Sequence, residues 1–402
     1  MAAGAFLTED ILIVIFTYLP LTSIYKFKAV SKVWLSILSD TYFLTEWFQI
    51  NITNKSHPWM HHHTRINPNG LKKLHPLKLG NYTCPGLYSK SMSTLFDHGF
   101  SFQFLTDSKQ IQGLELAFVG SSNGLVLCYT TLNHRRRYYV CNPLTQKWVS
   151  IPSPPNPFWC HFGVIGFFSE YSSSYTTSCY KVVRIAGLSS VKVWADIFCS
   201  KSGEWNSFEV SCPVNVSMER LWYDTVVTHD GVRINKGHKI VACILNNFRT
   251  DGYQCRIIDF PDVDGANARD RNLGESDGLI CYARITNQRT LSAWVLKEDN
   301  WQSLYGIELR DIIVEMDFKK QNANSRWGSA EVLIQVVGFN PLDQDVVLLG
   351  CWNYVWEFNI RTRRFEELRC PCLFLSDSTS NDPLMKTPFV LKPMPTILPP
   401  LF

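Results

Sequence analysis

Val140-Cys-Asn-Pro-Leu-Thr-Gln-Lys-Trp148 decides how most of this chain is read. A strand ends, Asn-Pro makes a tight polar turn, and an aromatic residue opens the next strand. The same form returns at Ile197-Phe-Cys-Ser-Lys-Ser-Gly-Glu-Trp205, at Val295-Leu-Lys-Glu-Asp-Asn-Trp301 and at Phe358-Asn-Ile-Arg-Thr-Arg-Arg-Phe365. Between Trp205 and Trp301 there is room for one more unit with a decayed marker, near Asp259-Phe-Pro-Asp262. Each unit alone is a hairpin or small sheet with an uncovered apolar face. Radial stacking, as in a β-propeller, covers those faces and leaves only short edges.

Working outward, short runs of β-branched and aromatic residues fill the chain from about residue 58. They include Gly124–Cys128, Tyr180–Ile185, Val191–Phe198, Lys239–Leu245, Leu279–Ala283, Val332–Val337 and Phe389–Leu391. Gly, Pro, Asn, Asp and Ser clusters separate them, and no long amphipathic helix intervenes. At about 40–50 residues per blade, residues 58–392 hold roughly six or seven blades. A β-sandwich is the alternative, but this length is long for one. The Pro-rich tail, residues 393–402, cannot continue a central strand and is expected to be exposed and mobile.

Before the strands, Leu7 to Trp47 reads LTEDILIVIFTYLPLTSIYKFKAVSKVWLSILSDTYFLTEW. Its periodicity predicts three short helices. Leu7, Ile11, Leu12, Ile15, Phe16 and Leu19 form one broad apolar arc of the first, with Ile13 and Val14 adding apolar surface opposite. Glu9 and Asp10 suit the positive end of the helix dipole, and Pro20 stops the helix. Ser31 is the expected N-cap of the third helix. A unit of about 40 residues usually needs disulfides, a metal or a partner for stability. No cysteine precedes Cys84, so a partner is the reading that remains.

This N-terminal stretch resembles the F-box. The matching residues are Leu7, Ile11, Ile15, Leu19, Pro20, Leu21, Ile24, Phe27, Val30, Ser31, Lys32 and Trp34. Thr8 departs from the family's usual proline. Two further stretches resemble the kelch-like, F-box-associated domain that follows the F-box in a large plant family. They are Ser122-Asn-Gly-Leu125 and Asn142-Pro-Leu-Thr-Gln-Lys-Trp148 with Ile151-Pro152, and Tyr180–Val183 and Ser200–Trp205 follow in the family's order.

The resemblance implies a fold class that is mostly β with a small N-terminal α module: a three-helix F-box at 1–48, a linker at 49–57, and a kelch-like propeller at 58–392. It also implies a subunit of a Skp-cullin-F-box (SCF) ubiquitin ligase that docks a Skp-type adaptor, and through it a cullin-RING ligase. Leu7, Ile11, Ile15, Leu19, Pro20, Leu21, Ile24, Phe27, Val30 and Trp34 would form the docking face.

Composition bounds the alternatives. The 402 residues are 46% hydrophobic and only 18% charged, which describes a folded protein. A net charge of +4 does not argue for nucleic acid. Lys55, Arg65, Lys72, Lys73, Lys78 and Lys90 fall in a stretch from Trp47 to Phe96 that has no acidic residue. That stretch is read as a solvated linker or surface hairpin. No targeting or membrane-spanning segment is visible, and 13 scattered cysteines without C-x-x-C read as small buried strand residues of a reduced compartment. The expected location is cytoplasm or nucleus.

The search for chemistry returns no catalytic constellation, no metal site and no cofactor. His61-His-His63 lacks further ligands at spacing, Cys370-Pro-Cys372 is too close for a zinc knuckle, and Asp262–Gly265 lacks the closing Glu of a calcium loop. An adaptor that holds an unidentified substrate protein is therefore the first expectation. Arg135, Arg137, Trp159, His161, Trp222, Tyr223, Trp352 and Tyr354 are the candidate substrate contacts, as loop aromatics and arginines often anchor interfaces. The alternatives are an interaction protein that uses its F-box outside a ligase, or an enzyme built on a kelch-like propeller.

Overall fold

The structure is a computed structural model. It describes residues 7–51, 57–62, 86–89, 92, 95, 102–112, 114, 116–133, 135–155, 163–171, 178–186, 190–216, 225–228, 231–236, 239–244, 255–261, 271–287, 289–314, 334–351, 354–368 and 389–399.

Four helices open the chain: α1 (Glu9–Thr17), α2 (Leu21–Phe27), α3 (Lys32–Ile37) and α4 (Thr41–Asn51). This corrects the expectation of three. Asp40 starts the fourth by accepting the Tyr42 N–H at 2.8 Å. Ser31 caps α3 as expected, its hydroxyl accepting the Trp34 N–H at 3.1 Å. Thr8 occupies the N-cap of α1 without a side-chain cap bond. The last carbonyls of α1 and its exit turn have no intrahelical partner, and α4 supplies donors. Asn51 Nδ2 donates to the Thr17 carbonyl at 2.7 Å, and Trp47 Nε1 to the Leu19 carbonyl at 3.0 Å.

Two short strands, β1 (Met60–His62) and β2 (Gly86–Tyr88), and a one-turn helix, Gln103–Thr106, come next. The first blade follows: β3 (Leu116–Ser122), β4 (Leu125–Leu132), β5 (Arg135–Asn142) and β6 (Lys147–Ser150). The second is β7 (Gly163–Tyr171), β8 (Ser178–Ala186), β9 (Ser190–Cys199) and β10 (Glu204–Val216). The third is β11 (Thr225–Thr228), β12 (Gly231–Lys236), β13 (Lys239–Ile244) and β14 (Cys255–Asp259). The fourth is β15 (Arg271–Ser276), β16 (Leu279–Thr286), β17 (Thr290–Lys297) and β18 (Asn300–Glu308). The fifth is β19 (Gln335–Phe339), β20 (Val346–Cys351), β21 (Tyr354–Asn359) and β22 (Phe365–Leu368), and β23 (Phe389–Leu391) comes last.

Each blade is an antiparallel meander in chain order, and the first strands of successive blades lie beside one another. The expectation of roughly six or seven blades is corrected. Among the described residues there are five four-stranded sheets and one three-stranded sheet, ordered β2-β1-β23. The small sheet closes the array. Met60, His61 and His62 pair with Leu391, Val390 and Phe389. Trp59 packs with Val337, Leu348 and Val355 of the fifth blade, while β23 lies beside β3 of the first.

The repeated tryptophans are staples between consecutive blades. Trp205 in β10 donates its indole N–H to the Pro152 carbonyl behind the first blade, at 2.8 Å. Trp301 in β18 does the same to Asp259, the last residue of the third blade, at 2.8 Å. The further unit expected near Asp259 is present as that third blade. Phe260 nevertheless follows its outer strand, whereas Trp148, Trp205, Trp301 and Phe365 stand at the start of theirs, and it packs on Tyr282 of the next blade at 4.7 Å.

The tail is the second correction. Pro393, Met394, Pro395, Thr396 and Leu398 are buried. Asn142, buried at the end of β5, donates from Nδ2 to the carbonyls of Met394 (2.9 Å) and Thr396 (2.7 Å). Its Oδ1 accepts the N–H groups of Leu144 (2.9 Å) and Thr145 (3.3 Å), so the Asn-Pro turn and the tail share one side chain. Thr396 Oγ1 donates to the Asn123 carbonyl at 2.6 Å. Gly124 sits at φ +78°, and a Cβ there would lie 2.7 Å from the Met394 nitrogen, so no other residue fits under the tail. Asparagine can satisfy two donors and two acceptors at once and alanine none. Asn142→Ala is expected to cost about 2–4 kcal/mol, read as a lowered denaturant midpoint. A change below about 0.5 kcal/mol, the scale of a surface substitution, would contradict the clamp.

His57 joins the other end of the closure. Its Nε2 contacts the Pro393 carbonyl at 2.6 Å, and the ring is buried beside Trp47. Burial lowers its pKa to about 4; the Pro393 carbonyl opposes the shift and the Lys392 charge adds to it. The unfolded chain takes up this proton near pH 6.5 and the folded chain only near 4. The closure therefore has its full contribution above about pH 6.5 and loses on the order of 3 kcal/mol as pH falls to about 4. Equilibrium unfolding measured across that range should show this slope in the parent and a shallower one in His57→Gln. Parallel profiles would refute the assignment.

Candidate docking face and substrate surface

The expected docking residues divide into two groups. Phe16, Phe27 and Trp34 form an aromatic triad inside the helical module, with ring centroids 5.0–5.8 Å apart. Leu21 and Ile24 are fully buried, and Leu19, Phe27 and Trp34 are half-buried against the same core. Leu7, Ile11, Ile15, Pro20 and Val30 are exposed.

Along α1 and its flanks the exposed apolar residues are Leu7, Ile11, Val14, Ile15 and Tyr18. Steps of four, three, one and three residues put them on one helical stripe. Tyr18 is 70% exposed and Val14 59%. Leu12, Ile13, Phe16 and Thr17 make the opposite, inward stripe. The broad arc read from the sequence thus straddles two faces, and it missed Val14 and Tyr18. Ile13, assigned to the outer side, packs inward. Thr17 is buried because its hydroxyl donates to the Val14 carbonyl at 2.8 Å. Around α3, Val30, Val33 and Leu35 add exposed apolar surface, Val33 being 64% exposed.

The inward stripe does not end within the module. Phe16, Leu21, Ile24, Ile37, Leu38, Phe43, Leu44, Trp47 and Phe48 share one cluster with Met60, Phe118, Val126, Cys128, Tyr139 and Met394. Trp148, the repeat aromatic of the first blade, packs on that cluster. Lys28 of the module lies close to Lys147, and its pKa is lowered by burial first and by that neighbouring charge second. The helices are a layer on the first blade and the closing sheet. The expectation that a partner is needed to stabilise the module is corrected. A unit too small to stand alone is completed by its own chain, and the outward stripe is surplus to folding.

The candidate substrate residues are scattered. Arg135 and Arg137 are exposed on β5, beside the β4–β5 turn, and between them Arg136 stacks over the Tyr129 ring at 4.4 Å. Tyr354 opens β21. Trp159, His161, Trp222, Tyr223 and Trp352 lie outside the described residues, as do His63, Asp262–Gly265, Cys370 and Cys372. The free cysteines described, Cys128, Cys141, Cys179, Cys199 and Cys281, all lie in strands. Burial raises the Cys141 thiol pKa, with Cys128 adding to the shift, and pushes Cys281 up to about 12.

Comparison with known proteins gives this geometry a family. Residues 97–395 match the protein-family model described as "F-box protein At3g26010-like, beta-propeller". The F-box protein At3g26010 of Arabidopsis thaliana is 26% identical over 379 residues, covering 89% of this chain and 78% of its own. At4g22430 of the same plant, named for an F-box and kelch repeats, is 24% identical over 386 residues, covering 89% and 79%. Among solved structures, the SapL1 lectin in complex with alpha methyl fucoside covers 64% of this chain and 81% of its own at 10% identity. Its TM-score of 0.33 carries no argument. This chain belongs to the family of plant F-box proteins with a C-terminal β-propeller.

Proposed function

We propose that this chain is the substrate-recognition subunit of an SCF-type ubiquitin ligase. The exposed stripe Leu7, Ile11, Val14, Ile15 and Tyr18 on α1 carries the reading, because folding has no use for it and it lies in the segment that resembles the F-box. A Skp-type adaptor covers that stripe together with Pro20, Val30 and Val33, and through the adaptor the chain reaches a cullin-RING ligase. Leu19, Leu21, Ile24, Phe27 and Trp34 act from inside, holding α1 and α3 at the right spacing. The propeller holds a substrate protein. The chain needs no catalytic group of its own, since positioning a substrate lysine near a ubiquitin-charged partner raises its effective concentration. The complex works in the cytoplasm or nucleus.

Covering a large apolar side chain is worth about 1.5–3 kcal/mol, so each outward residue lost weakens adaptor binding roughly tenfold or more. Ile11→Asp with Ile15→Asp should abolish co-purification with the adaptor while the melting temperature stays within a few degrees of the parent. Full adaptor capture by this variant would sink the docking assignment. Leu21→Asp is the wrong test, because it places a charge in the module's interior and unfolds it.

A further inference from the structure

We infer that the cleft between the first and second blades is a binding site for a small oxyanion, a phosphate or carboxylate group. This rests on the substrate-recognition reading only for its biological use, not for its chemistry. The cleft, of about 180 Å³, is lined by Arg135, Arg136, Tyr138, Ser153, Pro154, Pro155 and Arg184. No carboxylate is among these residues.

The basic groups are held in place. Arg136 lays its guanidinium over the Tyr129 ring at 4.4 Å, which occupies the flat face and leaves the in-plane N–H fork for an acceptor. Arg184 is itself buried, yet it lines the cleft. Asp196 orients it through an Nη1–Oδ2 contact of 3.3 Å, and Asp196 is fixed in turn by the Ser207 hydroxyl at 2.7 Å. The guanidinium also lies 6.0 Å from the Trp205 ring, the staple between these two blades. Ser153 adds a hydroxyl from the segment that follows β6.

An independent sign of a missing acceptor comes from Tyr138. Its side chain is 1% exposed and lines the cleft, and its hydroxyl has no hydrogen-bond partner. A buried donor without a partner costs about 1–3 kcal/mol, and phenylalanine would pack the same volume without that cost. An oxyanion accepts from the Tyr138 hydroxyl, the Arg forks and Ser153 together, through charge-assisted bonds. With the charge of Arg184 balanced by Asp196, Arg135 and Arg136 still leave the cleft net positive, which selects an anion over a neutral sugar or a cation.

The test is calorimetric titration of the full-length chain with inorganic phosphate at constant ionic strength, chloride being the balancing anion. Saturable binding is expected, weakened at least fivefold in Tyr138→Phe and at least tenfold in Arg136→Ala. Tyr138→Phe removes only an unpartnered oxygen and keeps the parent's melting temperature, so a failure to fold cannot mimic the loss. A parallel arm with O-phosphoserine finds the source. Tighter binding than inorganic phosphate assigns the pocket to a modified side chain of a bound protein, and weaker binding assigns it to a free anion. Absence of saturable binding in the parent, or equal affinity in the parent and both variants, overturns the site. Adaptor capture is measured on the same preparations. Its loss with phosphate binding intact would overturn the ligase reading alone.

Discussion

Everything in the structure depends on joining the two ends of the strand array. A radial array of meanders exposes two apolar flanks until the last unit meets the first. Here the junction is made by Met60–His62 and Phe389–Leu391, strands of three residues each drawn from opposite ends of the sequence. So short a ladder is weak by itself, and the chain reinforces it on both sides. The Ser121 hydroxyl donates to the Val390 carbonyl, Asn142 and Thr396 clamp the tail across the Asn123-Gly124 turn, and His57 holds Pro393. Contacts of such sequence separation slow folding, because the loop entropy is spent before they return anything.

The helices are tied to the same junction. α4 leads to His57 and Trp59, so the segment that closes the array is also the one that anchors the helical layer. Met60, Leu391 and Met394 from the closure share one cluster with Phe16, Trp47 and Phe48 from the helices. The outward stripe on α1 therefore stands at a fixed position relative to the first blade and the closing sheet. Under the proposed ligase role this fixed attachment matters more than any single contact, since a loose junction would dilute the effective concentration such a subunit creates.

How much of this could be read beforehand differs from element to element, for identifiable reasons. The strands and their turns were legible, because period-two apolar runs and Asn-Gly or Asn-Pro turns are local signals. One such signal went unread. Ser276-Asp-Gly-Leu279 repeats Ser122-Asn-Gly-Leu125, and both turns carry positive φ at their two central residues. Of the closing sheet, only Phe389–Leu391 was legible, as the last strand that closes the ring; β1, β2 and the buried tail were not. Three-residue strands have no periodicity, and Pro393-Met-Pro reads as exposed unless Asn142 is known to face it. The two faces of α1 were indistinguishable in principle. Leu12 and Ile13 differ from Ile11 and Val14 in what they touch, not in their chemistry. The inter-blade cleft was half-visible, since the loop arginines Arg135 to Arg137 were candidates and two of them, Arg135 and Arg136, line it. Tyr138 and Arg184 were hidden, because the cleft exists only once β5 and β8 are side by side.

The buried pair Arg184–Asp196 sets the inter-blade cleft apart from basic residues that stand only in solvent. Both side chains are essentially out of solvent, next to a cluster that contains Tyr138, Phe198 and Val182. Removing two charges from water costs several kcal/mol per ion, and a packed apolar pair of similar volume is often equal or better for stability. Stability alone therefore gives no reason for an ion pair at this spot in a chain that is otherwise free to fill blade interfaces with Trp, Tyr and Phe. An arginine that must stay charged, fixed and turned toward a cleft supplies one. At the proposed anion site the carboxylate of Asp196 is the buried counter-charge that holds the guanidinium in register, and the exposed Arg135 and stacked Arg136 complete the charge that the ligand would meet.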